Sequence, residues 1–230
     1  MLKSDSIIEK GFFGRRKGRP LRNAQATLME KALPELSLAL PTEEALDLEA
    51  LFPGFEKVRV EIGFGGGEHL LAQAKANPHT AFIGCEPFVN GVATLLKGIQ
   101  EEGLQNIKIY TEDGRDLLRA LPQHAIEHIY ILFPDPWPKK RHHKRRIVNS
   151  ETLKILATLL KRDGVLTLAT DHDDYLEWME ECLNCTHHFE IIERGDLTLE
   201  NRPPNWPVTR YERKAHAAER GCVFLRTKPI

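Results

Sequence analysis

Along the chain, short apolar runs alternate with segments whose apolar positions recur every three or four residues. β-branched or apolar runs at 58–62, 81–85, 107–111, 128–133, 165–169, 189–193 and 222–226 predict seven strands. Between them, 68–76, 89–102 and 173–183 carry the amphipathic spacing of helices. Ser150 is placed to cap a further helix running through residue 160 and stopped by Asp163-Gly164. Strand and helix in alternation predict an α/β domain with a parallel sheet covered on both faces. Residues 1–56 lack any strand pattern: a basic, Gly-rich arm leads into short apolar pieces broken by Pro34, Pro41, Pro53 and Gly54. They read as an arm and lead-in to a domain spanning 57–230. The stretch 202–220, opened by Pro203, Pro204 and Pro207, is too long for a turn between the last two strands, and insertions of that length are often functional.

Composition narrows the class. Hydrophobic residues make up 41% and charged residues 28%, ordinary for a globular protein, and no apolar run approaches the ~20 residues a spanning helix needs. The N-terminus lacks the apolar core of a secretory signal, so a cytoplasmic location is expected. Four cysteines, Cys85, Cys182, Cys185 and Cys222, fit a reduced chain better than a disulfide framework. Cys182 and Cys185 form a C-x-x-C with His187 and His188 behind it, but the spacing is too tight for paired zinc knuckles, and no metal is expected.

The formal net charge of −1 argues against a polyanionic partner until its distribution is considered. Residues 139–146 hold six Lys or Arg and two His, and 10–22 hold six more basic residues without an acid. Such local concentration suits nucleic acid, although charge runs are more often solvated loops.

The sharpest chemical signal is Glu61-Ile62-Gly63-Phe64-Gly65-Gly66-Gly67-Glu68, directly after one strand and before a helix. Glycines there permit a tight turn and close approach of a ligand to the backbone. Glu86 ends the next strand, at the distance where an acid accepts hydrogen bonds from ribose hydroxyls, and Asp113 follows the third, placed to reach an adenine edge. A dinucleotide would want a third glycine at position 68, where a pyrophosphate sits over the helix N-terminus. Glu68 and Glu61 would repel that pyrophosphate, whereas the cationic sulfonium and ammonium of S-adenosyl-L-methionine tolerate carboxylates. The methyl donor is the favoured cofactor.

The fourth strand runs into Phe133-Pro134-Asp135-Pro136-Trp137-Pro138-Lys139-Lys140, where two prolines stiffen the backbone around Asp135. A turn-capping Asp135 and a packing Trp137 are the plainer alternative. FPDPWPKKRHHKRRI closely resembles the signature of bacterial tRNA (guanine-N7-)-methyltransferases. EIGFGGGE, the ATD ending at Asp171, PVTRYE at 207–212 and the basic GRRKGR resemble further segments of that family, in order. Nearly the whole chain is covered, with departures in the loop at 64–67 and after Glu212.

The resemblance implies a seven-stranded, mostly parallel Rossmann-like methyltransferase sheet with helices on both faces, tRNA as partner and S-adenosyl-L-methionine as methyl donor. It implies that Glu61, Gly63, Gly65, Glu86, Asp113 and Asp135 line the cofactor site. It further implies that Lys139, Asp171, Thr209, Arg210, Tyr211 and Glu212 meet the substrate, and that Arg141, His142, His143, Lys144, Arg145 and Arg146 touch RNA.

Guanine N7 carries a lone pair and no proton, so its attack on a sulfonium methyl needs alignment rather than a general base. The product base is cationic, which makes Asp135 and Asp171 the candidate catalytic groups, stabilising charge as it develops. Glu212 is a candidate reader of the guanine N1–H and amino edge, and Trp137, Trp206 and Tyr211 are candidates to stack on the base. Two rivals remain at this level: a small-molecule or protein methyltransferase on the same fold, and an RNA-binding protein with a vestigial pocket. The basic run beside Asp135 weighs against the first and the complete set of strand-end acids against the second.

Overall fold

The computed structural model describes residues 14–230; Lys10 of the basic arm lies outside the described residues. The seven strands are β1 (Lys57–Ile62), β2 (Thr80–Cys85), β3 (Ile107–Tyr110), β4 (Ile126–Leu132), β5 (Leu160–Thr170), β6 (Phe189–Asp196) and β7 (Val223–Pro229). They form one sheet in the order β3-β2-β1-β4-β5-β7-β6. β1 to β5 pair in parallel, and β7 inserts antiparallel between β5 and β6. The strand order reverses between β1 and β4, the place where open parallel sheets leave a crevice at their carboxyl ends.

Strand periodicity sorts the core into two faces. Ala81, Ile83 and Cys85 of β2 join one apolar cluster, and Phe82 between them joins the other. Every residue of β2 is buried, as expected of a strand covered on both sides. Helices α4 (Glu68–Ala76) and α5 (Val89–Glu102) contribute Leu70, Ala74, Val92, Leu95 and Leu96 to Phe82's cluster. Helices α6 (Gly114–Ala120), α7 (Ser150–Leu159) and α8 (Asp173–Thr186) cover the other face with Leu117, Leu153, Leu156, Tyr175 and Met179.

Residues before β1 do more than lead in. They form α1 (Asn23–Lys31), α2 (Leu33–Leu36) and α3 (Leu48–Leu51), and Leu38, Leu46 and Phe52 are buried in the main cluster. The Leu38 N–H donates to Ile109 O (2.8 Å), tying this segment to the edge of β3. The cap of α7 also differs from the expectation: Asn149, not Ser150, accepts the Thr152 N–H (3.0 Å). The helix ends one residue earlier, and Leu160 already pairs with Ile126, so Asp163-Gly164 falls inside β5, where the register shifts. A Cβ on Gly164 would stand 2.8 Å from Lys161 O, which explains a glycine in that irregular stretch.

The insertion before β7 folds as α9 (Arg210–Ala217), preceded by a loop whose Trp206 is buried with Tyr130, Leu132 and Phe224. Among the described residues no helix is long and apolar enough to cross a membrane.

Candidate active site

At the carboxyl edge of β1 to β4 lies a cavity of about 1260 Å³. The turn from β1 into α4 reaches it at Gly63, Gly65 and Gly66, and holds three left-handed glycines, Gly63 (φ 77°), Gly65 (φ 58°) and Gly67 (φ 81°), in a backbone region open to glycine without penalty. Glu86 fastens this turn: its carboxylate accepts from the Gly65 N–H (2.8 Å) and from the Phe88 N–H (3.0 Å). Burial raises the Glu86 pKa; the N–H groups of Phe88 and Gly65 pull it back, and the nearby charges of Asp135 and Glu61 push it up again, leaving it above the usual carboxylate range.

Asp113 caps α6 by accepting the Arg115 N–H (3.0 Å), and Arg115 Nε reaches the same oxygen at 3.0 Å. Burial raises the Asp113 pKa, but the bonds from Arg115 prevail and hold it low. Gly63, Gly65, Glu86, Asp113 and Asp135 all line the cavity. Glu61 does not: it is buried against His69, whose Nδ1 lies 2.7 Å from Glu61 Oε2, and it borders a small hollow of about 10 Å³ instead.

Asp135 follows β4 in a segment flanked by two non-glycine residues with positive φ, Phe133 (52°) and Trp137 (46°). Such conformations persist only where surroundings over-determine them. The Phe133 N–H donates to Ala169 O (2.8 Å), so the loop leaves the sheet edge beside the end of β5. The cavity walls desolvate the Asp135 carboxyl and raise its pKa.

Asp171 stands at the same sheet edge, but it faces Arg220, whose Nε and Nη2 reach one carboxylate oxygen at 2.9 and 2.7 Å, and it does not line the cavity. Helical geometry separates the residues of α9. Tyr211 and Lys214, three apart, line the cavity, whereas Glu212 and Ala215, also three apart, are buried on the opposite side. Arg210 lines the cavity as well, and Tyr211 lies over the glycine turn: a Cβ on Gly65 would stand 2.6 Å from its ring. Glu212 is fully buried and ion-paired with Arg202, so it does not reach the cavity. Thr209 caps α9, accepting the Glu212 N–H (3.3 Å). Of the three aromatic residues proposed to stack, Trp206 is ruled out by its place in the core.

The basic run forms a 3₁₀ turn, Lys140–Arg145. Lys139, Lys140, Arg141 and Lys144 are exposed, and His142 and His143 are half-buried. Arg145 stacks over Trp137, its guanidinium carbon 4.9 Å from the ring centroid, and both line the cavity. Arg146 also borders the cavity but differs from the rest of the run in that its side chain is buried. Sequence reasoning missed two contributors. Arg15 and Arg16 of the basic arm line the cavity, held there because Arg16 O accepts the Val89 N–H (2.9 Å) and Asn90 bonds Gly18 and Arg19. Spacing carries no signal for that docking, since it depends on a helix seventy residues away.

Residues 56–225 match the model of a family described as "Putative methyltransferase". The tRNA (guanine-N(7)-)-methyltransferase of Agrobacterium fabrum (strain C58) is 45% identical over 96% of this chain and 95% of its own length. The chain belongs to that family. The Rhizobium meliloti (strain 1021) member is 43% identical over 94% of each chain. Among solved structures, an antibiotic-related methyltransferase (TM-score 0.59, 20% identity, 80% of this chain and 96% of that one) shares the fold. So does the 16S rRNA methyltransferase KamB (TM-score 0.59, 16% identity, 83% and 97%). These likenesses place the seven-stranded sheet among Rossmann-like methyltransferases.

Proposed function

We propose that this member of the tRNA (guanine-N(7)-)-methyltransferase family transfers the methyl group of S-adenosyl-L-methionine to N7 of a guanine in the variable loop of tRNA, in the cytoplasm. The observation that carries the reading is one cavity holding the glycine turn, Glu86, Asp113 and Asp135, with Lys144 and Arg145 in its wall. The site fits the cofactor. Gly63 lines the cavity, and no atom stands within 4 Å of where its Cβ would be, so the turn leaves room for a ligand against its backbone.

When bound, S-adenosyl-L-methionine supplies an electrophilic methyl on a sulfonium. Glu86 spends one lone pair of each carboxylate oxygen on Gly65 and Phe88, and the others remain for ribose hydroxyls. Asp113, steadied by Arg115, takes the adenine end. Asp135 sits between this region and the basic run and supplies negative charge beside a purine that becomes cationic, so no side chain has to remove a proton. Tyr211, on the cavity side of α9, offers a face for the extruded base. Lys139, Lys140, Arg141 and Lys144 grip flanking phosphates, which gives affinity without reading sequence. Asp171, Thr209 and Glu212 act from behind, as two ion pairs and a helix cap that hold the rim of the site.

Incubation with unmodified tRNA and methyl-labelled donor, followed by nucleoside analysis and mapping of the labelled residue, tests the reading. Labelled 7-methylguanosine in the variable loop is expected. Label in another nucleoside, or none in RNA, would overturn it.

A further inference from the structure

Arg146 heads the fully buried side chains by size, although it closes a run whose other members are exposed or only partly buried. Removing a guanidinium from water is costly unless its donors are used; here Nε and Nη2 each find an acceptor, while Nη1 is buried with none. Nε donates to Pro136 O (2.8 Å) and Nη2 pairs with Asp174 in the first turn of α8. The guanidinium carbon lies 4.8 Å from the Tyr175 ring centroid and 5.2 Å from that of Trp178. Those two rings are themselves fixed by the next residue but one, since the Val148 N–H donates to Tyr175 Oη (3.3 Å) and Trp178 Nε1 donates to Val148 O (2.7 Å). Asn149, the cap of α7, donates to Arg146 O (2.9 Å). The position of the guanidinium is therefore set by α7 and α8 together.

The acceptor of Nε matters most. Pro136 directly follows Asp135, and Pro134, Pro136 and Pro138 bring no N–H to residues 134–138. A backbone poor in donors is anchored through its carbonyls, and the Pro136 carbonyl is held by a side chain that α7 and α8 keep in place.

We propose that Arg146 is a positioning residue of the methyl-transfer site, which sets Asp135 by holding the Pro136 carbonyl, and that it is not a phosphate contact. The inference rests on the role given to Asp135 above. A lysine at this place keeps the charge but lacks the fork that spans Pro136 O and Asp174.

Kinetics with tRNA at saturating methyl donor test it, using Arg146→Lys, Asp135→Asn and the double variant. Arg146→Lys is expected to lower kcat about tenfold or more, with the tRNA KM and its salt dependence as in the parent. The double variant is expected to be no slower than Asp135→Asn alone, because both changes act at one point. A parental rate for Asp135→Asn defeats the role of Asp135 itself, whatever Arg146 does. A slow Asp135→Asn accompanied by an Arg146→Lys that raises tRNA KM and flattens the salt slope at unchanged kcat, or by a double variant slower by the product of the two factors, overturns the positioning role alone. Asp174→Asn guards against misfolding of Arg146→Lys, since its carboxyl is half-exposed and its loss loosens the guanidinium without emptying the pocket. A several-fold lower kcat at unchanged tRNA KM is expected there, and parental kcat in Asp174→Asn would equally overturn the proposal.

Discussion

Gly91 of α5 lies so close to Gly65 that a Cβ built on it would stand 2.1 Å from the Gly65 carbonyl oxygen. The obstructing atom is backbone, so the glycine turn itself has to move to admit a methyl group. Gly91→Ala is therefore expected to weaken S-adenosyl-L-methionine binding tenfold or more, about 1.4 kcal/mol or above. Gly103 makes the comparison. It ends α5 at φ 63° with nothing within 4 Å of its Cβ position, so Gly103→Ala should cost about 1–2 kcal/mol of stability from the left-handed backbone and leave donor affinity unchanged. Calorimetry on both variants checks the pair, and parental affinity in Gly91→Ala would separate α5 from the cofactor turn.

The Asp135 charge adds to burial in raising the Glu86 pKa, which gives a pH signature. Glu86 titrates above the usual carboxylate range because of burial first and, further down, because of the Asp135 charge. Its anionic form is the one that accepts from ribose, so donor affinity should be full above the Glu86 pKa and fall as pH drops through it. Asp135→Asn removes a like charge, lowers the Glu86 pKa and moves this acid limb to lower pH. Glu86→Ala should remove the limb and cost about 1–3 kcal/mol of binding. Titrations of donor affinity against pH in the three proteins decide; an acid limb that stays put in Asp135→Asn would show that the two carboxyls do not feel each other.

The sheet was legible because its strands are continuous apolar runs buried on both faces, and β2 shows why: each of its residues finds a partner cluster on one side or the other. The acids at the ends of β2 and β3 were legible because the carboxyl ends of parallel strands on one side of the reversal open on the same crevice. Individual orientation was not. Arg145 and Arg146 are neighbours in a charge run and both border the cavity, yet one stacks over Trp137 and the other is buried against Tyr175 and Trp178 of α8. Tyr211 and Glu212 part company in the same way once the chain is helical. The helices before β1 escaped notice because α1 buries no residue fully and is stabilised by contacts with α5 rather than by its own pattern.

Glu212 and Arg202 form an ion pair with the carboxylate fully buried, which makes a stability prediction distinct from any effect on substrate. Glu212→Ala leaves a mostly buried guanidinium without its counter-charge and should destabilise the fold by about 3–5 kcal/mol. Replacing both, as Arg202→Met with Glu212→Leu, should recover most of that loss. Thermal and denaturant unfolding of the single and double variants check it. Parental stability in Glu212→Ala would mean the carboxylate is free to serve the substrate.

The exposed members of the basic run make electrostatic grip on tRNA measurable. Lys140, Arg141 and Lys144 project from the 3₁₀ turn beside the loop that carries Asp135, and their charges are not spent on the fold in the way that of Arg146 is. If each neutralises a phosphate, binding releases counterions, and the logarithm of affinity falls with the logarithm of salt by about 0.7 to 0.9 per contact. Each of Lys140→Ala, Arg141→Ala and Lys144→Ala should then weaken tRNA binding and flatten the slope by about that amount, with donor affinity unchanged. Arg16 offers a contrast on the arm, because it already pairs with Glu112 at 2.8 Å. Part of its charge is compensated before RNA arrives, so Arg16→Ala should flatten the slope by less than Lys144→Ala does. Filter binding at several salt concentrations reads all four variants. Parallel slopes throughout would mean that the run is a solvated face and that RNA is held elsewhere, while a larger change for Arg16 than for Lys144 would move the main phosphate contact to the arm.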